Sequence, residues 1–418
     1  MNMSDRILAT YRIETSHPLE KAAAVMAGEQ SSGTFVPVPG ETPELMARYG
    51  ARVEQIIPLG DVAEPSLPGA KPPRDGGRLQ QAEVTLSFPY DNIGDSLTAL
   101  MTAVGGNLYE LSQFSGLKLL DVMIPERLIA SQPGAQFGVT GTRRLCGVEG
   151  RPMLGTIIKP SVGLSPAETA ALVRTLCEGG VDFIKDDELQ SNAPHCPLEA
   201  RVREVMTVIH DHAQRTGKMV MYAFNLTGDM DHIRRGHDLV LKAGGTCVMI
   251  NVIPVGIAGL MELRRHSQLP VHAHRAGWGM LTRHPLLGME YTAYQKFLRL
   301  AGADQLHVNG LRNKFCETDA SVITSARAVL APLGNIPPCV PVFSSGQSAR
   351  QAADTYSALR TTDLLYLAGG GIMAHPGGVR AGVTSLREAW EAALEGISLA
   401  AYARSHPALA QALEMFGS

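Results

Sequence analysis

The sequence predicts an α/β protein: a C-terminal (β/α)8 TIM barrel over residues 131–418, preceded by a small α+β domain over residues 1–130. Three observations predict it. From about residue 150 onward, short apolar runs alternate with helical stretches eight times, and apolar strands alternating with helices form a parallel sheet covered on both faces. Eight units of this length suit a closed barrel, with an open doubly wound sheet as the competing arrangement. Polar residues also stand at the C-terminal end of nearly every strand, where a barrel carries its site. An open sheet would gather them near one switch point.

In chain order, "RILATYRIE" (6–14) and "EVTLSFPY" (83–90) are strands of the first domain, and "HPLEKAAAVMAGEQ" (17–30) and "DSLTALMTAV" (95–104) are its helices. "PSLPGAKPPRDGG" (65–77) is a surface loop by composition. The barrel opens with "LGTIIKP" (154–160), followed by a helix capped by Ser165 with Pro166 after it. "GGVDFIKDDE" (179–188) is the second strand. The next helix shows Leu198, Val202, Val205, Met206 and Ile209 on one face. Strands follow at "MVMYAFN" (219–225), "CVMINVI" (247–253), "LPVHAHR" (269–275), "DQLHVNG" (304–310), "CVPVFSSG" (339–346) and "LLYLAGGG" (364–371). Helices intervene at "MEYTAYQKFLRLAG" (289–302) and "SARQAADTYSALR" (348–360), and the tail after Ser398 is helical.

The chain of 418 residues is 45% hydrophobic and 18% charged, with a net charge of −3, as expected of a soluble globular protein. No basic surplus points to nucleic acid or an anionic membrane. "MNMSDRILATYRIE" lacks the apolar run of a signal peptide and no segment has membrane-spanning length, so the expected location is cytoplasmic. The six cysteines form no C-x-x-C pair and are expected to be free thiols.

The chemistry gathers in "KDDE". Asp187 and Glu188 offer hard oxygen ligands suited to magnesium at the barrel mouth. Lys185 contradicts such a site while it is an ammonium. Burial lowers a lysine pKa, and a neutral amine can add carbon dioxide to form an anionic carbamate, a third oxygen ligand. The competing reading is an ordinary salt-bridge cluster.

"GTIIKP", "GGVDFIKDDE", "HAHRAGWG", "DQLHVNG" and "AGGG" recur in this order on the first, second, fifth, sixth and eighth barrel strands. Together they resemble the large chain of ribulose-1,5-bisphosphate carboxylase/oxygenase (RuBisCO), across the whole barrel and more weakly in the first domain. The resemblance implies that Lys185 is carbamylated and binds Mg2+ with Asp187 and Glu188. It implies catalytic roles for Lys159, His274 and the mobile-loop residue Lys314. Arg275, His307 and Ser345 correspond to one phosphate-binding group, with Gln347 beside them, and Gly369 and Gly370 to the other. Glu29 and Thr34 of "GEQSSGT", with Asn107 of "GGN", correspond to residues that complete the site of a partner subunit, which implies a homodimer or higher homo-oligomer.

Departures surround the substrate and spare the metal ligands. Ser161 replaces a second lysine, Trp278 a histidine, Gln347 a glycine and Phe35 a tryptophan, and Val308 and Asn309 replace a small pair. This pattern resembles the form IV, RuBisCO-like proteins, which enolise a sugar phosphate without productive carbon dioxide fixation. The "HVNG…NKF" loop is similar to that of 3-oxo-isoapionate-4-phosphate decarboxylases or transcarboxylase/hydrolases. The expected reaction is decarboxylation of a β-keto sugar-acid phosphate. The alternatives are enolisation or isomerisation of a methylthio-sugar phosphate in methionine salvage, a true carboxylase, and a non-enzymatic binding role.

Overall fold

The computed structural model describes residues 5–33, 38–70 and 77–417. Thr34 and Phe35 lie outside them, as do residues 71–76 of the predicted loop. The chain packs as two compact units, and the division is not a single cut. The first unit is built on residues 1–132 and takes in 277–300 and 333–336 from later in the chain.

The first unit holds a five-stranded sheet in the order β10-β4-β1-β3-β2. Its strands are β1 (Arg6–Thr15), β2 (Arg52–Val62), β3 (Leu79–Pro89), β4 (Phe114–Met123) and β10 (Leu287–Met289). β1 is central, antiparallel to both β3 and β4. Ile7, Ala9, Tyr11 and Ile13 alternate along it, all fully buried, as a half-covered sheet requires. β10 pairs in parallel with β4. Helices Leu19–Glu29 and Leu97–Val104 match the two expected from the sequence. β2, β4 and β10 were not foreseen. β2 is exposed along almost its whole length and carries Pro58 and Gly60, so it lacks the apolar alternation that marks a half-buried strand.

The second unit is a closed parallel barrel of eight strands, as the alternation predicts. The strands are β5 (Met153–Ile157), β6 (Phe183–Lys185), β7 (Met221–Asn225), β8 (Cys247–Asn251), β9 (Val271–His274), β11 (Gln305–His307), β12 (Val340–Phe343) and β13 (Leu365–Leu367). Met153, Phe183, Met221, Cys247, Val340 and Leu365 pack as one apolar cluster, joined by Ala223, Met249, Val342 and Leu367, each two residues further along its strand. Ser165 caps the helix Pro166–Gly179 through a reciprocal capping box with Glu168. The five residues expected on one face of the helix Leu198–Thr216 are all buried. All six cysteines are free, and only Cys316 is exposed. No helix among the described residues is long and apolar enough to cross a membrane.

Candidate active site

Strand alternation sorts the acidic motif. Lys185 ends β6 two residues after Phe183 and so shares its inward face. It is fully buried, and its Nζ has no hydrogen-bond partner. The nearest carboxylate oxygen, Oε2 of Glu188, is 3.7 Å away. Burial pushes the ammonium below the ordinary lysine value, with Lys159 adding to the effect. Glu188, Asp187 and Asp186 pull the other way.

Asp186 faces outward and is not part of the inward set. Its carboxylate takes Arg201 Nη2 at 3.0 Å and the Tyr222 hydroxyl at 2.6 Å, and accepts the Asn225 backbone N–H at 2.9 Å. Arg201 and Asp186 are both essentially inaccessible to water. This ion pair anchors the turn after β6 to the helix Leu198–Thr216. Asn225 and Asn251, ending β7 and β8, donate to the Glu188 carbonyl at 3.2 and 2.9 Å. They fix the backbone from which Asp187 and Glu188 project.

Asp187 accepts from Lys159 Nζ at 2.6 Å through Oδ2 and from the Leu189 N–H at 3.1 Å through Oδ1. These contacts hold its carboxyl below the ordinary aspartate range, against the opposing pull of desolvation. Lys159 also donates to Ser161 at 2.8 Å. The residue that stands in place of a second lysine is therefore a neutral acceptor. Glu188 Oε2 also lies 3.6 Å from His274 Nε2. Because His274 Nδ1 accepts the Ala276 N–H at 3.2 Å, the neutral ring carries its proton on Nε2, facing Glu188.

A second histidine layer lies against this group. With the Gln305 amide oxygen facing His272 Nδ1 at 2.8 Å, His272 Nε2 accepts from His307 Nε2 at 2.8 Å. His307 Nδ1 then accepts from the Ser344 hydroxyl at 3.1 Å. In this hydrogen-bonded relay the tautomer of each ring is set by its neighbours. Burial lowers all three imidazoles, His272 to about 3 with Lys185 contributing, and His274 and His307 well below the ordinary value. A pH effect follows. The unfolded chain binds protons at these histidines below about pH 6.5 while the folded chain does not, so stability falls as pH falls from there toward 3. His272 alone is expected to cost about 1.5 kcal/mol between pH 6.5 and 5. Urea unfolding at both pH values should show this loss, and His272→Gln should reduce it.

Gly369 and Gly370 start the short helix Gly369–Met373 after β13. A Cβ on Gly370 would meet nothing within 4 Å, and one on Gly369 would sit 3.9 Å from Lys159 Cε, so this side of the mouth is open and adjoins the lysine. Arg275 is only 6% exposed and bonds Glu317 at 2.5 Å. Ser345 donates to Asn309 at 2.9 Å. Gln347 is buried and its amide donates to the Leu311 carbonyl at 3.1 Å. Lys314 is exposed and lies over the Phe315 ring. Trp278, in the first unit, stacks on Tyr294. Also in that unit, Asn107 donates to Glu29 at 3.2 Å. Sequence reasoning missed Glu317, Ser344 and Asn251. Asn251 and Ser344 follow the strand-end rule, whereas Glu317 lies in a loop without any local signal.

One other three-ligand cluster occurs among the described residues, His237, Asp238 and His266. His237 Nε2 accepts the Gln268 N–H at 3.3 Å, so its Nδ1 carries the proton given to Asp238 at 3.0 Å. The cluster is closed by hydrogen bonds and presents no lone pair at Nδ1.

A closed β/α barrel with a lysine, two carboxylates and a neutral histidine at the C-terminal ends of its strands defines a barrel enzyme whose donors suit a hard divalent cation. The chain belongs to the RuBisCO large-chain family: the model of the ribulose bisphosphate carboxylase large chain catalytic domain matches residues 138–416, and that of the N-terminal domain matches residues 1–128. It is 54% identical over 413 residues to a 3-oxo-isoapionate-4-phosphate transcarboxylase/hydrolase of Xanthobacter autotrophicus, covering 98% of this chain and 99% of the relative. It is 48% identical to a 3-oxo-isoapionate-4-phosphate decarboxylase of Rhizobium etli, covering 98% of both. The crystal structure of a RuBisCO-like protein from Burkholderia fungorum superposes with a TM-score of 0.92 at 47% identity, covering 98% of this chain and 99% of that one.

Proposed function

We propose that the chain decarboxylates a β-keto sugar-acid phosphate of the 3-oxo-isoapionate-4-phosphate kind, with magnesium and a carbamylated Lys185. The observation that carries this is the Lys185 amine, buried, without a hydrogen-bond partner and 3.7 Å from the Glu188 carboxylate. Its lowered pKa supplies the neutral form that takes up carbon dioxide. The added carboxylate would turn Lys185, Asp187 and Glu188 into an all-oxygen set, which fits magnesium. When bound there, the ion supplies a Lewis acid for a substrate carbonyl.

The remaining work falls to side chains of this protein. The open side at Gly369 and Gly370, beside Lys159, receives the phosphate. The rest of the substrate extends toward the Ser344 and Ser345 hydroxyls. The bond between the β-keto acid's α-carbon and its carboxylate breaks, its electrons flow to the keto oxygen, and carbon dioxide departs. His274, with its proton on Nε2, donates a hydrogen bond to the developing oxyanion. Lys159, 2.6 Å from Asp187, donates its ammonium proton to the enolate carbon and is reprotonated from solvent. Ser161 beside it leaves no second cation to hold a newly added carboxylate, which favours loss over fixation. The working unit is a cytoplasmic homodimer in which Glu29, Thr34 and Asn107 serve the partner's barrel and Lys314 closes over the bound substrate.

Single-turnover assays with magnesium and bicarbonate, scoring released gas and protonated product separately, test this reading. Gas and product are expected to appear together in the parent protein. In Lys159→Met, product should lag behind gas. Label retained in a carboxylated product would point instead to carboxyl transfer. Solvent deuterium entering a methylthio-pentulose phosphate, with no gas from any β-keto acid, would replace decarboxylation by isomerisation.

A further inference from the structure

We propose that Glu317 is a built-in anion that occupies the Arg275 side of the barrel mouth and restricts the site to substrates carrying one phosphate. The inference rests on reading the mouth as a sugar-phosphate site, and it names which end of the substrate is uncharged.

The Glu317 carboxylate is held by donors from three segments. Oε2 takes Arg275 Nη2 at 2.5 Å and Asn309 Nδ2 at 2.6 Å, and Oε1 accepts the Ser321 hydroxyl at 2.9 Å. Arg275 follows β9, Asn309 follows β11, and Ser321 lies on the helix Asp319–Leu330. Asn309 stands in the left-handed region with φ 64°, and its Oδ1 accepts from Ser345, itself at φ 70°. Such conformations persist in non-glycine residues when the surroundings hold them. Two strained backbones therefore aim the groups that fix this one carboxylate.

The charge on this side is already balanced. Arg275 and Glu317 are 6% and 14% exposed at their side chains and pair within the protein. A phosphate brought to Arg275 would meet the carboxylate, and like charges close together in a dry site repel strongly. Space is closed as well. Gln347 fills the room over Gly310, where an added Cβ would lie 2.2 Å from its amide carbon. What this side offers are the Ser344 and Ser345 hydroxyl oxygens, whose protons are given to His307 and Asn309, so they suit a hydroxyl end that donates to them. The opposite side, over Gly370, is open.

Calorimetric titration of the full-length protein with ribulose 5-phosphate and ribulose 1,5-bisphosphate tests the inference. The parent protein should bind the bisphosphate no more than about threefold more tightly than the monophosphate, and Glu317→Gln should raise that preference at least about tenfold. A tenfold preference for the bisphosphate in the parent, or an unchanged preference in a folded Glu317→Gln, would overturn it. The ratio in the parent decides alone where the variant does not fold. Neither ligand needs to react, so decarboxylation can fail in the gas assay while this inference stands, and the reverse.

Discussion

Replacing Lys185 by alanine is expected to lower turnover by at least about a thousandfold while leaving the protein folded. The size follows from what a Lewis acid contributes to the transition state, several kcal/mol, with each 1.36 kcal/mol a factor of ten. The variant keeps Asp187 and Glu188, but two carboxylates alone hold magnesium weakly. No hydrogen bond is broken, so the cost to the fold is that of the cavity left by truncating a fully buried side chain, and circular dichroism of the variant checks that the fold persists. The parent protein should show the complementary behaviour. In carbon-dioxide-free buffer its activity should be low, and preincubation with bicarbonate and magnesium should restore it. A variant as active as the parent, or a parent indifferent to bicarbonate, would remove the carbamate from the mechanism.

Arg201→Met should destabilise the protein by about 3–5 kcal/mol, the cost of leaving a buried carboxylate without its partner. Asp186 would keep only the Tyr222 hydroxyl and one backbone N–H, and the Arg201 bonds to the Cys196 and Ser191 carbonyls at 2.8 and 2.6 Å would also go. The double variant Arg201→Met with Asp186→Asn should lose less than the sum of the two single changes, because the stranded charge is gone. Urea unfolding of the four proteins measures this. Additive losses would mean that the pair is not the anchor described above.

These two cases show what the sequence makes legible. Residue type and position at the end of a strand were enough to nominate Lys185, Asp187 and Glu188. One-residue alternation sets Asp186 apart from Lys185 and Asp187 by turning it away from the barrel interior, but says nothing of what it meets there. The partner that defines its role, Arg201, lies 15 residues on and reads as one more charge on an amphipathic helix. Glu317 was harder still, because it meets Arg275 across 42 residues and through a loop. Gln347 was nominated for the substrate, yet its amide nitrogen is spent on a carbonyl inside the protein. The barrel itself was readable because eight buried strands repeat one pattern. β2 escaped because an exposed strand has no apolar face to reveal it, and β10 because three residues carry no period.

β10 also sets an order of events during synthesis. The outer edge of β4 is closed by Leu287–Met289, a segment made more than 160 residues after β4 ends at Met123. While the intervening chain leaves the ribosome, the nascent first sheet carries an unpaired edge able to recruit a strand from another chain. The segment that silences this edge arrives only once five of the eight barrel strands have been translated. Completion of the amino-terminal half is thereby tied to progress of the carboxy-terminal half, and a ribosome stalled between the two releases a product with an open, adhesive seam.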